Sequence, residues 1–144
     1  TSGIITTVGL MVGLYSSTNS KMVVIGGIFT IAVADAFSDA LGIHIAEESK
    51  HNGAKEVWES TIVTFFTKFF IALAFIIPVI YLDLAIAIVV SAVCGMLALC
   101  LLSFLIARSK KEKPALIILE HLFIACIVVV TAYYLGSWIS CRFV

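Results

Sequence analysis

Charge is scarce in this chain. Acidic and basic residues make up 12% of its 144 residues and cancel to a formal net charge of zero. A soluble domain carries about 25%. No basic surface is left over for nucleic acid, so that class of partner is excluded. Proline is rarer still, at Pro78 and Pro114 only. Pro114 suits the first turn of a helix, and Pro78 is placed to kink one. Four cysteines, Cys94, Cys100, Cys126 and Cys141, have no Cys-x-x-Cys spacing, which argues against a disulfide framework or a zinc site. They read as small apolar residues. The first residues already lie inside an apolar run, so residues upstream of Thr1 are an expectation.

Apolar residues are what the chain has in excess. They account for 62% of it, and the mean hydropathy is +1.17. One domain of this size cannot hide so much apolar surface within itself, so lipid must cover it. The expected fold is an all-α integral membrane protein, a single transmembrane domain over residues 1–144. A span needs about 20 residues. Five are expected, at about 1–16, 22–46, 59–82, 84–107 and 114–139. The loops 47–58 and 108–113 then face one side and carry Lys50, Lys55, Arg108, Lys110, Lys111 and Lys113, against Lys21 and Arg142 on the other. The excess of Lys and Arg places both loops and the N-terminus in the cytoplasm. Trp58, Tyr81 and Trp138 fall near span ends, as an aromatic belt would. No organelle signal is visible, so a microbial cytoplasmic membrane is expected.

Small residues mark two faces. Gly9 and Gly13, with Thr6, Ser16 and Ser17, let a second helix approach closely, either within the chain or across a dimer. Ser91, Cys94, Gly95 and Ala98 form a similar stripe that reads as packing.

Four charged residues fall well inside the expected spans: Asp35, Asp39, Lys68 and Glu120. Ionisable groups there cost several kcal/mol and mark function by default. At about 100° per residue, Asp35 and Asp39 share one helix face with Ser38, Gly42 and Ala46 beside them. Counted at about 1.5 Å per residue from the cytoplasmic side, Asp39, Lys68 and Glu120 lie about 10 Å deep, with Asp35 deeper. Two readings follow. Lys68 pairs with an acid and fixes helix register. Alternatively, the three carboxylates Asp35, Asp39 and Glu120 hold a divalent cation, or two protons in its place, with Lys68 as counter-ion. His44 reads either as an interfacial histidine or, with Glu47 and Glu48, as a metal-entry site at the cytoplasmic mouth. His121 follows Glu120 but points about 100° away from it.

The order of these features resembles a known family. The opening Gly3-Ile-Ile-Thr-Thr-Val-Gly-Leu-Met-Val-Gly13 is similar to the Asp-Gly-Leu-Val-Thr-Thr opening of the vacuolar iron transporters. The stretch 37–49, Phe-Ser-Asp-Ala-Leu-Gly-Ile-His-Ile-Ala-Glu-Glu-Ser, resembles their Ile-Ser-Met-Ala-Ala-Gly-Glu-Tyr-Val-Ser segment. The third helix, ending in Ile76-Ile-Pro78, and the last, ending in Thr131-Ala-Tyr-Tyr-Leu-Gly136, are similar too. The resemblance implies a dimeric five-helix exporter of Fe²⁺ and like cations from the cytosol, driven by proton antiport, with its pathway along the first helix at the subunit interface. Ser2 and Thr6 would then line that pathway with Ser38 and Gly42. Two positions depart from the family: Ser2 stands where its first helix has Asp, and Asp39 where its second has Met. The family's large cytoplasmic metal-binding domain is reduced to residues 47–58. Carboxylate and hydroxyl oxygens suit harder cations than a thioether does, so the expected preference shifts from Fe²⁺ toward Mn²⁺, Mg²⁺ or Ca²⁺.

The metal is substrate here, and no resident cofactor is expected. The competing readings are a proton-coupled carrier or channel for another solute, and a membrane scaffold that transports nothing. An enzyme is not expected: paired aspartates can cut peptides, but both lie on one helix without the Gly-x-Gly-Asp context of intramembrane aspartyl proteases.

Overall fold

The computed structural model describes residues 1–51, 53–111 and 113–143. They form six helices and, among the described residues, no strand: α1 (Ser2–Thr18), α2 (Lys21–Ser49), α3 (Ala54–Ala74), α4 (Ile76–Tyr81), α5 (Leu84–Lys110) and α6 (Pro114–Phe143). α3 and α4 form one span, 54–81, broken at Phe75. Pro78 explains the break, because it has no N–H for the Ala74 carbonyl and its ring crowds that turn. The Phe75 N–H bonds instead to the Ala72 carbonyl at 3.2 Å.

Four segments are long and apolar enough to cross a membrane: Lys21–Ser49, Ala54–Tyr81, Leu84–Lys110 and Pro114–Phe143. The expected first span is a helix of 17 residues, about 26 Å long, and falls short of them in length. The helices also run further than expected, because Glu, Lys and Arg at their ends are good helix formers. Where a loop is expected at 47–58, α2 runs on to Ser49 and α3 begins at Ala54, so that Trp58 lies inside α3. Large apolar side chains such as Phe29, Phe66, Phe70, Leu97, Phe123 and Tyr134 are exposed over the bundle. Such a surface suits hydrocarbon rather than water.

The core runs along i, i+4 ridges. On α2 it is Val24, Ile28, Ala32, Ala36 and Ala40; on α5 it is Ala87, Ser91, Gly95, Leu99, Ser103 and Ala107. Such ridges interlock with those of a neighbouring helix, and their small residues bring the backbones close. α1 sits among α2, α3, α5 and α6. Its Gly9 and Gly13 serve packing within the chain: a Cβ on Gly9 would come within 2.6 Å of Val128 Cγ1, and Gly13 faces Ala132. Cys94, Cys126 and Cys141 are exposed on the apolar surface, and none of the four is bonded to another.

A two-residue turn joins α1 to α2. Asn19 ends α1 in the left-handed region (φ 45°), which Asn tolerates, and its N–H bonds to the Tyr15 carbonyl at 2.9 Å. Ser20 then caps α2 by accepting from the Val23 N–H. At the same end of the bundle, Lys21 Nζ donates to the carbonyls of Ile80 (3.0 Å) and Leu82 (3.1 Å). The ammonium thereby meets the negative end of α4 and ties α2 to the 82–83 turn. Lys21→Met is expected to cost about 1 kcal/mol, read as a lower denaturation midpoint.

Candidate functional site

The tight α1–α2 turn sets the site. With so short a connection the two helices lie antiparallel, so each step back along α1 matches an equal step forward along α2. Gly27 lies against Leu14, leaving no room there for a Cβ. Eight residues further, Thr6 Oγ1 donates to Asp35 Oδ2 at 3.3 Å; four beyond that, Ser2 Oγ donates to Asp39 Oδ2 at 3.1 Å. The hairpin register therefore lays two hydroxyls over two carboxylates.

α3 supplies the cation. Lys68 Nζ pairs with Asp35 Oδ2 at 3.1 Å and with Asp39 Oδ2, and donates to Ser2 Oγ at 2.5 Å. Gly3 makes room for the lysine stem: a Cβ there would lie 3.0 Å from Lys68 Cδ and 3.6 Å from Asp35 Oδ2. The side chains of Lys68, Asp35 and Asp39 are 13%, 19% and 38% exposed. Asp39 is thus the acid nearest the surface. From the Ser49 end of α2, Asp39 lies about 15 Å along the helix and Asp35 about 21 Å. Two carboxylates and one ammonium leave a formal charge of −1.

Glu120 does not join them, and this corrects the three-acid site. It lies exposed on α6, which packs on α1 and α5 rather than on α2 or α3. Among the described residues no group of three or more His, Cys, Asp or Glu side chains assembles. Its neighbour His121 turns inward, with Nδ1 2.7 Å from the Oγ of fully buried Ser103.

Ser38 and Gly42 stand outside the cluster. Both are exposed, and nothing lies within 4 Å of a Cβ built on Gly42, so within one chain they line no enclosed path. They belong to an exposed α2 stripe that repeats every fourth residue: Gly26, Thr30, Ala34, Ser38, Gly42 and Ala46. The expected entry cluster separates as well. His44 turns toward α3, with Nδ1 2.9 Å from Thr61 Oγ1 and its ring edge-on to Trp58. Glu47 pairs with Lys50 at 2.8 Å, and Glu48 is exposed in the last turn of α2.

Sequence reasoning missed Gly3 as a site residue. The signal lay in the two-residue turn, which fixes the register that puts α1's first turn against Asp35 and Asp39.

These features define a class: an all-helical protein with four helices suited to crossing a membrane and a half-buried, oxygen-rich charge cluster between three helices. No family model, curated protein or solved structure matches the chain.

Proposed function

We propose that this chain is a membrane carrier of divalent cations, related to the vacuolar iron transporters. Asp35 and Asp39 bind the cation, and Lys68 is the counter-ion it displaces. The observation that carries this reading is the convergence of Asp35, Asp39 and Ser2 on one ammonium, with Thr6 bonded to Asp35, about 15–21 Å along a membrane-length helix. A charged cluster at that depth is costly unless it has a task. With Lys68 displaced, its −2 charge matches one divalent cation or two protons, which supports exchange of one for the other. The donors are all oxygens, so the substrate is a hard ion such as Mn²⁺, Mg²⁺ or Ca²⁺, retaining water where two carboxylates do not complete its shell. In this reading α1 completes a five-span topology with the basic turns and the N-terminus in the cytoplasm. The exposed small-residue stripe of α2 supports a homodimer, and export runs from the cytosol of a microbial cell.

The decisive experiment is uptake into proteoliposomes with a pH-sensitive dye inside. Asp39→Asn is expected to abolish divalent uptake and the coupled proton signal while the protein purifies in the same oligomeric state. Undiminished uptake in that variant overturns the site. If Fe²⁺ is carried and Mn²⁺, Mg²⁺ and Ca²⁺ are not, the hard-ion assignment falls.

One observation favours a second reading. Both carboxylates are already paired with Lys68 and the hydroxyls, as a staple between α1, α2 and α3 would require. The readings separate on metal-dependent stability. A carrier is stabilised by millimolar Mn²⁺ or Mg²⁺, and loses that stabilisation with Asp39→Asn. A staple is indifferent to either ion.

A further inference from the structure

The turn between α5 and α6 stands apart from the charged cluster. Residues 108–113 carry four cations and one acid, Arg108, Lys110, Lys111, Glu112 and Lys113, a net charge of +3. The α2–α3 turn at the same end of the bundle has the opposite balance. There Glu47, Glu48 and Glu56 outweigh Lys50 and Lys55, and Lys50 is paired with Glu47. Arg108, Lys110, Lys111 and Lys113 are all exposed, and none has an ion pair among the described residues. Arg108 and Lys110 have a local reason to be there: they lie in the last turn of α5, where the helix dipole is negative.

Lys111 and Lys113 have no such reason. Lys111 ends α5 in the left-handed conformation (φ 56°), a place that glycine or asparagine ordinarily fills because a Cβ is strained there. Lys113 immediately precedes Pro114, and its carbonyl accepts from the Leu116 N–H at 3.2 Å. Its charge therefore adds to the positive end of the 30-residue α6, whose first turn holds no acid. Each lysine breaks a local rule, which in a natural chain marks function. Cations crowded at a helix N-terminus are a setting for an anion. The surface beside the turn says what carries that anion. α5 has 27 residues and is about 40 Å long, more than the hydrocarbon core of about 30 Å, so its end reaches headgroup level. Within two turns of that end, Phe104, Leu105, Leu116 and Leu119 are exposed. We propose that the α5–α6 turn binds the phosphate of an anionic phospholipid, with Lys111 and Lys113 as its main contacts and the acyl chains along the exposed apolar faces of α5 and α6. None of these residues belongs to the cation site, so the proposal does not rest on the carrier reading.

The test is native mass spectrometry of the intact protein in detergent, titrated with phosphatidylglycerol or with phosphatidylcholine of the same chain length. The expected result is saturable binding of phosphatidylglycerol, about tenfold or more tighter than phosphatidylcholine. Lys111→Gly and Lys113→Gln should each weaken it about fivefold. Lys111→Gly also separates charge from folding, because glycine suits that backbone and the variant should melt no lower than the parent. Lys55→Gln makes the same charge change on the other turn and should leave binding unchanged. Millimolar inorganic phosphate should not compete. Equal binding of the two lipids overturns the proposal. So does equal weakening by Lys55→Gln, or full affinity in both Lys111→Gly and Lys113→Gln. Displacement by inorganic phosphate overturns it too, since the site would then serve the free ion.

Discussion

Lys68→Met is expected to be the most damaging single substitution in the bundle, costing about 3 kcal/mol or more in denaturant-monitored stability. Removing one partner of a buried ion pair typically costs about 3–5 kcal/mol, because the remaining charge is left without compensation. Here two carboxylates lose their ammonium at once, and Ser2 loses its donor. The exposure of Asp39 softens the effect, since water can reach that oxygen; Asp35, at 19%, cannot recover as well. Most of the loss should therefore return in Lys68→Met with Asp35→Asn, and less in Lys68→Met with Asp39→Asn. Simple additivity of the single changes in a double-mutant cycle would show that the cluster contributes no coupling energy. The same variants bear on transport: the carrier reading expects divalent cations to stabilise Lys68→Met more than the parent, because the displaced counter-ion is already gone.

Gly136→Ala comes next, with an expected cost of about 1–3 kcal/mol. Gly136 is buried where α6 crosses α1, and a Cβ there would run into Ser16 Oγ and the backbone carbonyl oxygen of Gly13. A serine side chain can rotate away, but a helical carbonyl cannot, so the helices must separate. Because α1 also carries Ser2, Gly3 and Thr6, the shift would propagate to the charged cluster. Gly42→Ala is the matched control. It adds a methyl group where no atom of the same chain lies within 4 Å, and is expected to change the stability of the single chain in detergent by less than about 0.5 kcal/mol. Equal melting behaviour of the two variants in the same detergent would refute the close crossing.

Several features were legible before any coordinates. Hydropathy marked the four long apolar helices, because a segment covered by lipid must be apolar along its whole length. Pro78 marked the break at Phe75, since no tertiary contact can replace its missing N–H. Asp35, Asp39 and Lys68 could be linked by depth, which follows from rise per residue alone. Glu120 shows the limit of that argument. Counted from the expected span ends it shared the depth of Asp39, yet α6 is docked on α1 and α5, away from the aspartates. Depth is one coordinate of three; azimuth and choice of neighbour depend on which faces interlock.

The same distinction runs through the small residues. The sequence by itself determined that Gly9 and Gly13 offer a close approach, but Val128, Ala132 and Gly136 of the same chain occupy it, which only helix docking could decide. It determined that Ser38 and Gly42 share a helix with two acids, but not that a neighbour leaves them uncovered. It supplied the charges, the chain-breaking proline and the lengths, all of which are local. Tertiary structure decided the partners: Lys68 over Gly3, and two hydroxyls over two carboxylates. Those depend on a hairpin register fixed by Asn19 and Ser20 and on ridges meeting every fourth residue, so no single stretch of the chain contains them.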